Sequence, residues 1–178
     1  MDYQATSPLS LAQALRRALT KSSRGGRRRV RRSEYWWCML AIAIYYALLG
    51  ALYIFLEDVA GVNTTSWWCT ALRLILGAMP VGLWVMENYG RLHDTGHRDT
   101  WLMGVLIPLA LLAFGSLLPH LSMGRFPNLL HLPLIAIPLI VVAAVFATVC
   151  LVFCLRDSDK GVNAYGPSPK YRSVEYEE

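Results

Sequence analysis

The side chains best suited to chemistry lie in one short polar stretch of an otherwise apolar chain. His93 and Asp94 are a candidate acid and base, and His97 adds a third group able to bind a metal. Metal ligands at this spacing need a helix face, whereas the glycine at position 96 predicts a loop. No nucleophile motif and no glutamate base accompany them. We therefore predict no catalytic residue, metal site or cofactor, and keep an interfacial enzyme acting on an anionic lipid or metabolite as an alternative.

Arg73 is the only charged side chain inside an apolar block of the sequence. An arginine at the centre of a membrane helix costs roughly 2.5 to 3.5 kcal/mol, and less where it can reach the headgroups. It could grip an anionic group, reach the outer headgroups, or pair with Glu57 or Asp58. A small transporter or channel is thus a second alternative. It is weakened because no apolar block contains an acidic residue.

The composition predicts that the elements positioning these residues are membrane helices. Of the 178 residues, 55% are hydrophobic and only 16% are charged, and the apolar ones form four blocks at residues 36–56, 67–86, 101–118 and 132–155. A helix rises about 1.5 Å per residue and must cross roughly 30 Å of hydrocarbon, so each block is long enough to span. Lipid offers no partner to a free backbone amide, which requires helices. We predict an all-α integral membrane protein, a four-helix transmembrane bundle.

Prolines and small residues predict details of these helices. Prolines in or near the blocks predict kinks or breaks, with the freed carbonyls satisfied by neighbouring groups: Pro80, Pro108, Pro133 and Pro138. Small residues recur every four positions and predict close helix approach: Ala43, Ala47 and Ala51, then Ala78 and Gly82.

The distribution of the 17 lysine and arginine residues predicts the orientation. Most of them precede the first block, none lies in residues 57–66, and Arg125 is the only one between the third and fourth blocks. The positive-inside rule then places both ends of the chain and the loop 87–100 in the cytoplasm. The predicted organisation is a cytoplasmic segment 1–35, a four-span domain 36–155 and a cytoplasmic tail 156–178.

The two cytoplasmic ends have different predicted structures. Residues 7–20 predict a short amphipathic helix capped by Ser7. The tail has turn residues at Gly161 and Gly166 that fold it back, and it is predicted to be disordered after about residue 169. Basic residues before the first block are predicted to bind anionic headgroups, each at about 1 kcal/mol, and not nucleic acid: Arg27, Arg28, Arg29, Arg31 and Arg32.

Three polar motifs together resemble a known family. They are residues 32–37 (Arg-Ser-Glu-Tyr-Trp-Trp), 91–96 (Arg-Leu-His-Asp-Thr-Gly) and 161–169 (Gly-Val-Asn-Ala-Tyr-Gly-Pro-Ser-Pro). The chain resembles, from about Leu9 to Pro169, the YhaH/YhaI-like small bacterial inner-membrane proteins, whose domain is catalogued as a domain of unknown function, family 805. Where the family usually has a doubled arginine, this chain has Gly90 and Arg91. The resemblance implies a bacterial inner-membrane location and no established activity.

The predicted topology places all three motifs on the cytoplasmic side, at the edges of the first, second and fourth spans. Their polar side chains are predicted to meet as a polar cap at one rim of the bundle: Arg32, Glu34, Arg91, His93, Asp94, Asn163 and Tyr165. Ion pairs at such an interface fix helix positions. The favoured function is a non-enzymatic membrane assembly or interaction module, as a homo-oligomer or with another membrane protein.

Overall fold

The computed structural model describes residues 2–21, 28–62, 66–121, 127–128 and 131–174 and is mostly helical. Within these ranges it contains α1 (Leu11–Lys21), α2 (Arg32–Ile54), α3 (Trp67–Asp94), α4 (Thr100–Leu121) and α5 (Pro133–Leu155). A single π-helical turn, Phe55–Val59, continues α2. Two short strands, β1 (Asp2–Ala5) and β2 (Tyr171–Val174), lie at the two ends of the chain.

The predominance of helix agrees with the sequence prediction, but the two short strands correct its all-α assignment. Among the described residues, two helical segments are long and apolar enough to cross a membrane, Arg32–Val59 and Pro133–Leu155. Both keep most of their apolar side chains on the surface of the chain, as Leu48, Ile54 and Leu134 illustrate. Large exposed apolar surfaces of this kind mark sites that contact a membrane or another protein.

Helix α3 extends well beyond the apolar block 67–86 and contains His93 and Asp94 in its last turn. The prediction that these two residues lie in a loop is therefore wrong. The helix ends at Asp94 and is capped by Thr95, and Gly96 follows with φ of 74°, in the left-handed region that glycine adopts readily after a helix. The stop signal at Gly96 was correctly located, but the helix continues until two residues before it.

The prolines inside the helices do not break them. Helices α3, α4 and α5 run without a break through Pro80, Pro108 and Pro138, and Pro133 begins α5 at a position that suits proline. Pro80 has no N–H to donate to the carbonyl of Leu76, four residues earlier. The Tyr45 hydroxyl of α2 donates to that carbonyl at 2.8 Å. The neighbouring helix thus satisfies the freed backbone group.

Helix α1 begins later than predicted, and its cap is Ser10 instead of Ser7. The amide of Gln13 donates to Ser10 Oγ at 3.4 Å, while the Ser10 amide donates to Gln13 Oε1 at 3.2 Å. This reciprocal pair is a capping box. The buried face of α1 packs against α2, where the Trp37 indole donates to the carbonyl of Leu9 at 3.0 Å.

The two ends of the chain pair with each other. Strand β1 runs antiparallel to β2, with Tyr3 opposite Ser173 and Ala5 opposite Tyr171. The amide of Thr6 continues the pairing with the Lys170 carbonyl at 2.8 Å. Residues 171–174, part of the stretch predicted to be disordered, therefore form a strand, because their backbone finds a partner at the far end of the sequence. Residues 175–178 of the same stretch lie outside the described residues.

Helix α4 packs closely along α5, α2 packs along α3, and α3 joins the two pairs through α5. Gly104 of α4 lies against the ring of Phe146, close enough that a Cβ there would stand 2.2 Å from a ring carbon. The start of α2, the end of α3, the start of α4 and the end of α5 all meet at one polar end of the molecule, where the candidate site lies.

Candidate functional site at the polar end of the helices

A buried carboxylate, Asp94, is the centre of the site. Arg29 Nε donates to its Oδ1 at 3.0 Å, and Arg91 Nη1 donates to its Oδ2 at 2.6 Å. The Ser158 hydroxyl donates a further, short hydrogen bond to Oδ2. The Arg91 and Asp94 side chains are fully buried, and the Arg29 side chain nearly so. A buried charge is tolerated only when it is paired and hydrogen-bonded in this way.

Arg29 also fastens the tail. Its Nη1 donates to the carbonyls of Gly161 and Gly166, at 2.9 and 2.8 Å, and its Nη2 donates to the carbonyl of Asp159 at 2.8 Å. The tail closes into a tight turn here, with Gly166 at φ of 118°. The fold-back of the tail predicted from its glycines is thus present, and a guanidinium with five donors holds it.

Arg91 fastens the end of α5. Its Nε donates to the Cys154 carbonyl at 3.1 Å, and its Nη2 donates to the carbonyl of Arg156. The last carbonyls of a helix have no partner within the helix. Because Arg91 belongs to the last turn of α3, these bonds join the ends of α3 and α5 through one side chain.

A second ion-pair group lies beside the first and involves the start of α2. Arg28 Nη1 donates to Glu87 Oε1 at 2.9 Å, and its Nη2 pairs with Glu34. Glu87 lies just beyond the apolar block of α3 and is fully buried, and its Oε2 has no hydrogen-bond partner among the described residues. Burial raises the pKa of Glu87 to about 7, the nearby charge of Glu34 adds to the rise, and Arg28 opposes it.

His93 links this group to α4 and the tail. Its Nε2 lies 2.5 Å from Asp99 Oδ1, and its Nδ1 lies 3.3 Å from the carbonyl of Arg28. The Tyr165 ring stacks on the imidazole with 3.8 Å between centroids, and Asn163 Nδ2 donates to the His93 carbonyl at 2.9 Å. Both ring nitrogens therefore face acceptors, and the ring is covered.

We name the buried polar groups at this end the polar clasp. Its members are Arg28, Arg29, Glu34, Glu87, Arg91, His93, Asp94, Ser158 and Asn163. The ion pairs Arg28–Glu87 and Arg29–Asp94 join segments that are far apart in sequence. The pairs Arg91–Asp94 and Arg28–Glu34 are local. The clasp therefore fixes the N-terminal segment, α3 and the tail relative to one another.

The clasp is poorly arranged for catalysis by the two residues considered above. Both oxygens of Asp94 accept hydrogen bonds from Arg29, Arg91 and Ser158, so neither is free to take a proton from a substrate. His93 is similarly enclosed. Within the described ranges, no group of three or more histidine, cysteine, aspartate or glutamate side chains could hold a metal ion.

The structure brings together most of the predicted polar cap but not all of it. Glu34, Arg91, His93, Asp94, Asn163 and Tyr165 contact the clasp or belong to it. Arg32 does not: it is exposed and lines a separate cavity of about 360 Å³ with Trp36 and Lys170. The sequence analysis missed the four other members of the clasp: Arg28, Arg29, Glu87 and Ser158.

The basic residues predicted to bind headgroups differ in their surroundings. Arg28 and Arg29 bind carboxylates of the clasp, as described above. Arg31 Nη1 donates to Thr6 Oγ1 and to the carbonyl of Ser7, at 3.2 and 2.8 Å. Arg32 is exposed, and Arg27 lies outside the described residues. Three of the five thus have protein partners instead of open access to lipid.

Arg73 lies on the exposed surface of α3, far along the helix from the clasp. Its guanidinium carbon stands 6.0 Å from the ring centroid of Tyr53 on α2, at the outer limit of a cation–π contact. In the part of the chain that the structure describes, it forms no ion pair with Glu57 or Asp58. The pairing with these carboxylates that we considered is therefore replaced by an aromatic neighbour.

One comparison with known proteins gives a match. A family model described as "Protein of unknown function (DUF805)" matches residues 25–167. The matched region begins just before the arginines of the clasp and ends just after Tyr165 and Gly166, so it includes all of the clasp. No curated protein and no solved structure matches the chain.

Proposed function

The chain belongs to the DUF805 family of proteins of unknown function, and on that premise we propose that it is a multi-pass protein of the bacterial cytoplasmic membrane that acts as a non-enzymatic assembly or interaction module. The observation that carries the proposal is the polar clasp. Its charged groups are occupied by one another and by backbone carbonyls, which suits a device that holds helices in place and leaves little for a substrate to contact.

The four long helices support four crossings of the bilayer. Their outward faces are apolar, and α2 and α5 meet the length and composition needed for a span. Helices α3 and α4, of 28 and 22 residues, are also long enough at about 1.5 Å per residue. The clasp gathers alternate ends of successive helices, as an up-and-down membrane bundle requires.

The paired ends of the chain support an even number of crossings. The backbone hydrogen bonds between β1 and β2 favour an arrangement in which both ends of the chain lie on the same side of the membrane. The excess of arginine and lysine at this end, together with the positive-inside rule, assigns that side to the cytoplasm. Arg32, exposed at the start of α2, is then placed for contact with anionic headgroups.

The small-residue stripe of α2 supports assembly with a second membrane segment. Ala43, Ala47 and Ala51 are exposed, since α2 meets α3 through other residues such as Tyr45. Small residues on a lipid-facing surface permit close approach of another helix. The proposed partner is a second copy of the chain or another membrane protein.

The topology is tested by labelling single cysteines in intact cells, in a variant lacking the four native cysteines. The positions are Thr64 and Asn128 for the outer side, and Arg98 and Ser173 for the cytoplasmic side, where both side chains are exposed. We expect a membrane-impermeant reagent to label the first two only. Labelling at Arg98 from outside would contradict the four-span arrangement.

Assembly is tested by replacing alanines of the stripe with leucine and measuring the size distribution of the purified protein in detergent. We expect Ala47→Leu to shift the distribution toward smaller species, because a bulky side chain prevents close approach. Ala144→Leu is the matched control, since Ala144 is exposed on α5 outside the stripe. An unchanged distribution for Ala43→Leu and Ala47→Leu together would exclude assembly through this surface.

A further inference from the structure

A polar cavity of about 460 Å³ lies between the N-terminal segment and the tail, outside the clasp. Its walls come from the residues that follow β1, from α1, and from the residues around the start of β2. They are Thr6, Ser7, Leu9, Gln13, Arg17, Arg31, Ser168, Pro169 and Arg172. Since none of these belongs to α2–α5, the cavity is independent of how many helices cross the membrane.

The cavity carries three guanidinium groups and, among its described lining residues, no carboxylate. No described acidic side chain forms an ion pair with Arg17, Arg31 or Arg172. Arg31 is 5% exposed, and its hydrogen bonds go to neutral acceptors, the hydroxyl and carbonyl of Thr6 and the carbonyl of Ser7. A buried guanidinium is ordinarily accompanied by an acid, as Arg29 and Arg91 are by Asp94.

Burial and neighbouring positive charge both affect the pKa of Arg31. Burial lowers the pKa of Arg31, and the charge of Arg17 lowers it further, while the carboxylates of Glu34, Asp94 and Asp157 oppose the change from a distance. Concentrating like charges around a cavity has an electrostatic cost that a bound anion would remove.

The donors around the cavity match one class of anion. A guanidinium presents two parallel N–H groups that fit two oxygens of a phosphate, and arginine clusters with hydroxyl groups are a common means of binding phosphate. Arg17 belongs to α1 and Arg172 to β2, and among the described residues neither guanidinium has a hydrogen-bond or ion-pair partner, so both can donate to a ligand. The Ser7 hydroxyl is exposed beside them.

We propose that the cavity bounded by Arg17, Arg31 and Arg172 binds the phosphate group of an anionic ligand, either a phospholipid headgroup or a soluble phosphorylated metabolite. The bound phosphate would join α1 to the tail, in addition to the β1–β2 pairing and the hydrogen bond from the Thr6 amide to the Lys170 carbonyl, which link the segment before α1 to the tail. This site goes beyond the proposed assembly function, and it would stand or fall separately from it.

The test uses the full chain in nanodiscs and measures its thermal unfolding by tryptophan fluorescence. In zwitterionic lipid, inorganic phosphate is titrated against chloride at matched ionic strength. In parallel, nanodiscs with and without phosphatidylglycerol are compared without added phosphate. A rise in Tm with inorganic phosphate identifies a soluble ligand, and a rise with phosphatidylglycerol alone identifies a headgroup.

The variants decide whether the effect belongs to this cavity. We expect Arg17→Gln with Arg172→Gln to weaken phosphate affinity by about tenfold or more for each arginine lost, a factor that corresponds to about 1.4 kcal/mol. The matched control is Arg16→Gln with Arg98→Gln, which removes the same charge from exposed positions outside the cavity. The proposal is overturned if the two double variants respond alike, or if the wild-type protein responds to neither phosphate source.

Discussion

The contact between Tyr45 and the proline-freed carbonyl of α3 gives a sharp quantitative prediction. Leu76 has no amide donor four residues later, because that position is Pro80, and the Tyr45 hydroxyl supplies the hydrogen bond at 2.8 Å. Tyr45→Phe removes the donor and leaves a carbonyl unsatisfied between two helices. Hydrogen bonds between membrane helices average about 0.6 kcal/mol and reach about 1.7, and a buried unsatisfied group costs about 1 to 3 kcal/mol. We expect a loss of about 1 kcal/mol in the free energy of unfolding.

A double-mutant cycle isolates this contact from other effects of the substitution. In a Pro80→Ala background, the new backbone amide can donate to the Leu76 carbonyl within α3. Tyr45→Phe should then cost much less, giving a coupling free energy of about 1 kcal/mol between the two positions. The assay is reversible unfolding in mixed micelles, followed by tryptophan fluorescence.

The neighbouring tyrosine provides a matched control. Tyr46 donates to the carbonyl of Gly77 at 2.8 Å, but this carbonyl also has a possible amide donor within α3, from Val81. Tyr46→Phe should therefore be less destabilising than Tyr45→Phe and should show little coupling to Pro80→Ala. Equal costs of Tyr45→Phe in the presence and in the absence of Pro80→Ala would refute the reasoning.

Three other substitutions probe packing, buried charge and titration, each by its effect on thermal unfolding. Gly104→Ala places a Cβ 2.2 Å from a ring carbon of α5 and should lower the free energy of unfolding by about 1 to 3 kcal/mol. Its control, Gly82→Ala, meets nothing within 4 Å and should be neutral. Similar effects of both substitutions would contradict the close packing of α4 on α5. Asp94→Asn leaves two buried guanidiniums without their counter-charge and should cost about 3 to 5 kcal/mol, while Asp99→Asn, at a carboxylate 52% exposed, should cost far less. The folded-state pKa of Glu87 is about 7, above the ordinary 4.5, so the buried carboxylate should destabilise the protein increasingly as the pH rises from about 5 to about 8. The Tm of Glu87→Gln relative to wild type should therefore rise across that range. A constant difference in Tm would show that Glu87 does not titrate there.

The sequence was sufficient to predict the helices and the meeting of the polar motifs. Apolar blocks of spanning length locate the cores of α2 to α5, because lipid and a protein interior both require helices to be apolar there. The motifs converge because each follows or precedes a helix at the same end of the molecule. Asp94 and Asn163 thus lie near each other, although they are far apart in sequence.

The partners of the arginines could not be predicted in the same way. Arg28 and Arg29 belong to a basic run, and such a run before a span ordinarily indicates a topology signal. Their partners, Glu87 and Asp94, become neighbours only after α3 has packed against this segment. The sequence alone cannot distinguish an arginine that pairs within a buried network from one that binds a headgroup.

The role of Gly90 was also hidden, for a reason of packing. The Val30 amide donates to the Gly90 carbonyl at 2.8 Å, and a Cβ at position 90 would stand 2.3 Å from Val30 Cγ2. The segment carrying Arg28 and Arg29 can reach α3 only because this position has no side chain. The glycine at position 90 therefore permits a close backbone contact between this segment and α3.

The polar clasp has a consequence for how such a bundle would be held together in lipid. Membrane helices gain little from apolar contact with one another, because lipid tails are equally apolar, so packing and polar contacts decide their arrangement. Outside the clasp, the described contacts between helices include close packings such as Gly104 on α5, an apolar cluster shared by α3, α4 and α5, and hydrogen bonds of tyrosine hydroxyls such as that of Tyr45. The charged contacts are concentrated where α3 and α5 end, and they also include the N-terminal segment and the tail. Losing Asp94 should therefore loosen the helix ends, the tail and the β1–β2 pairing together, whereas losing Tyr45 should affect only the contact of α2 with α3.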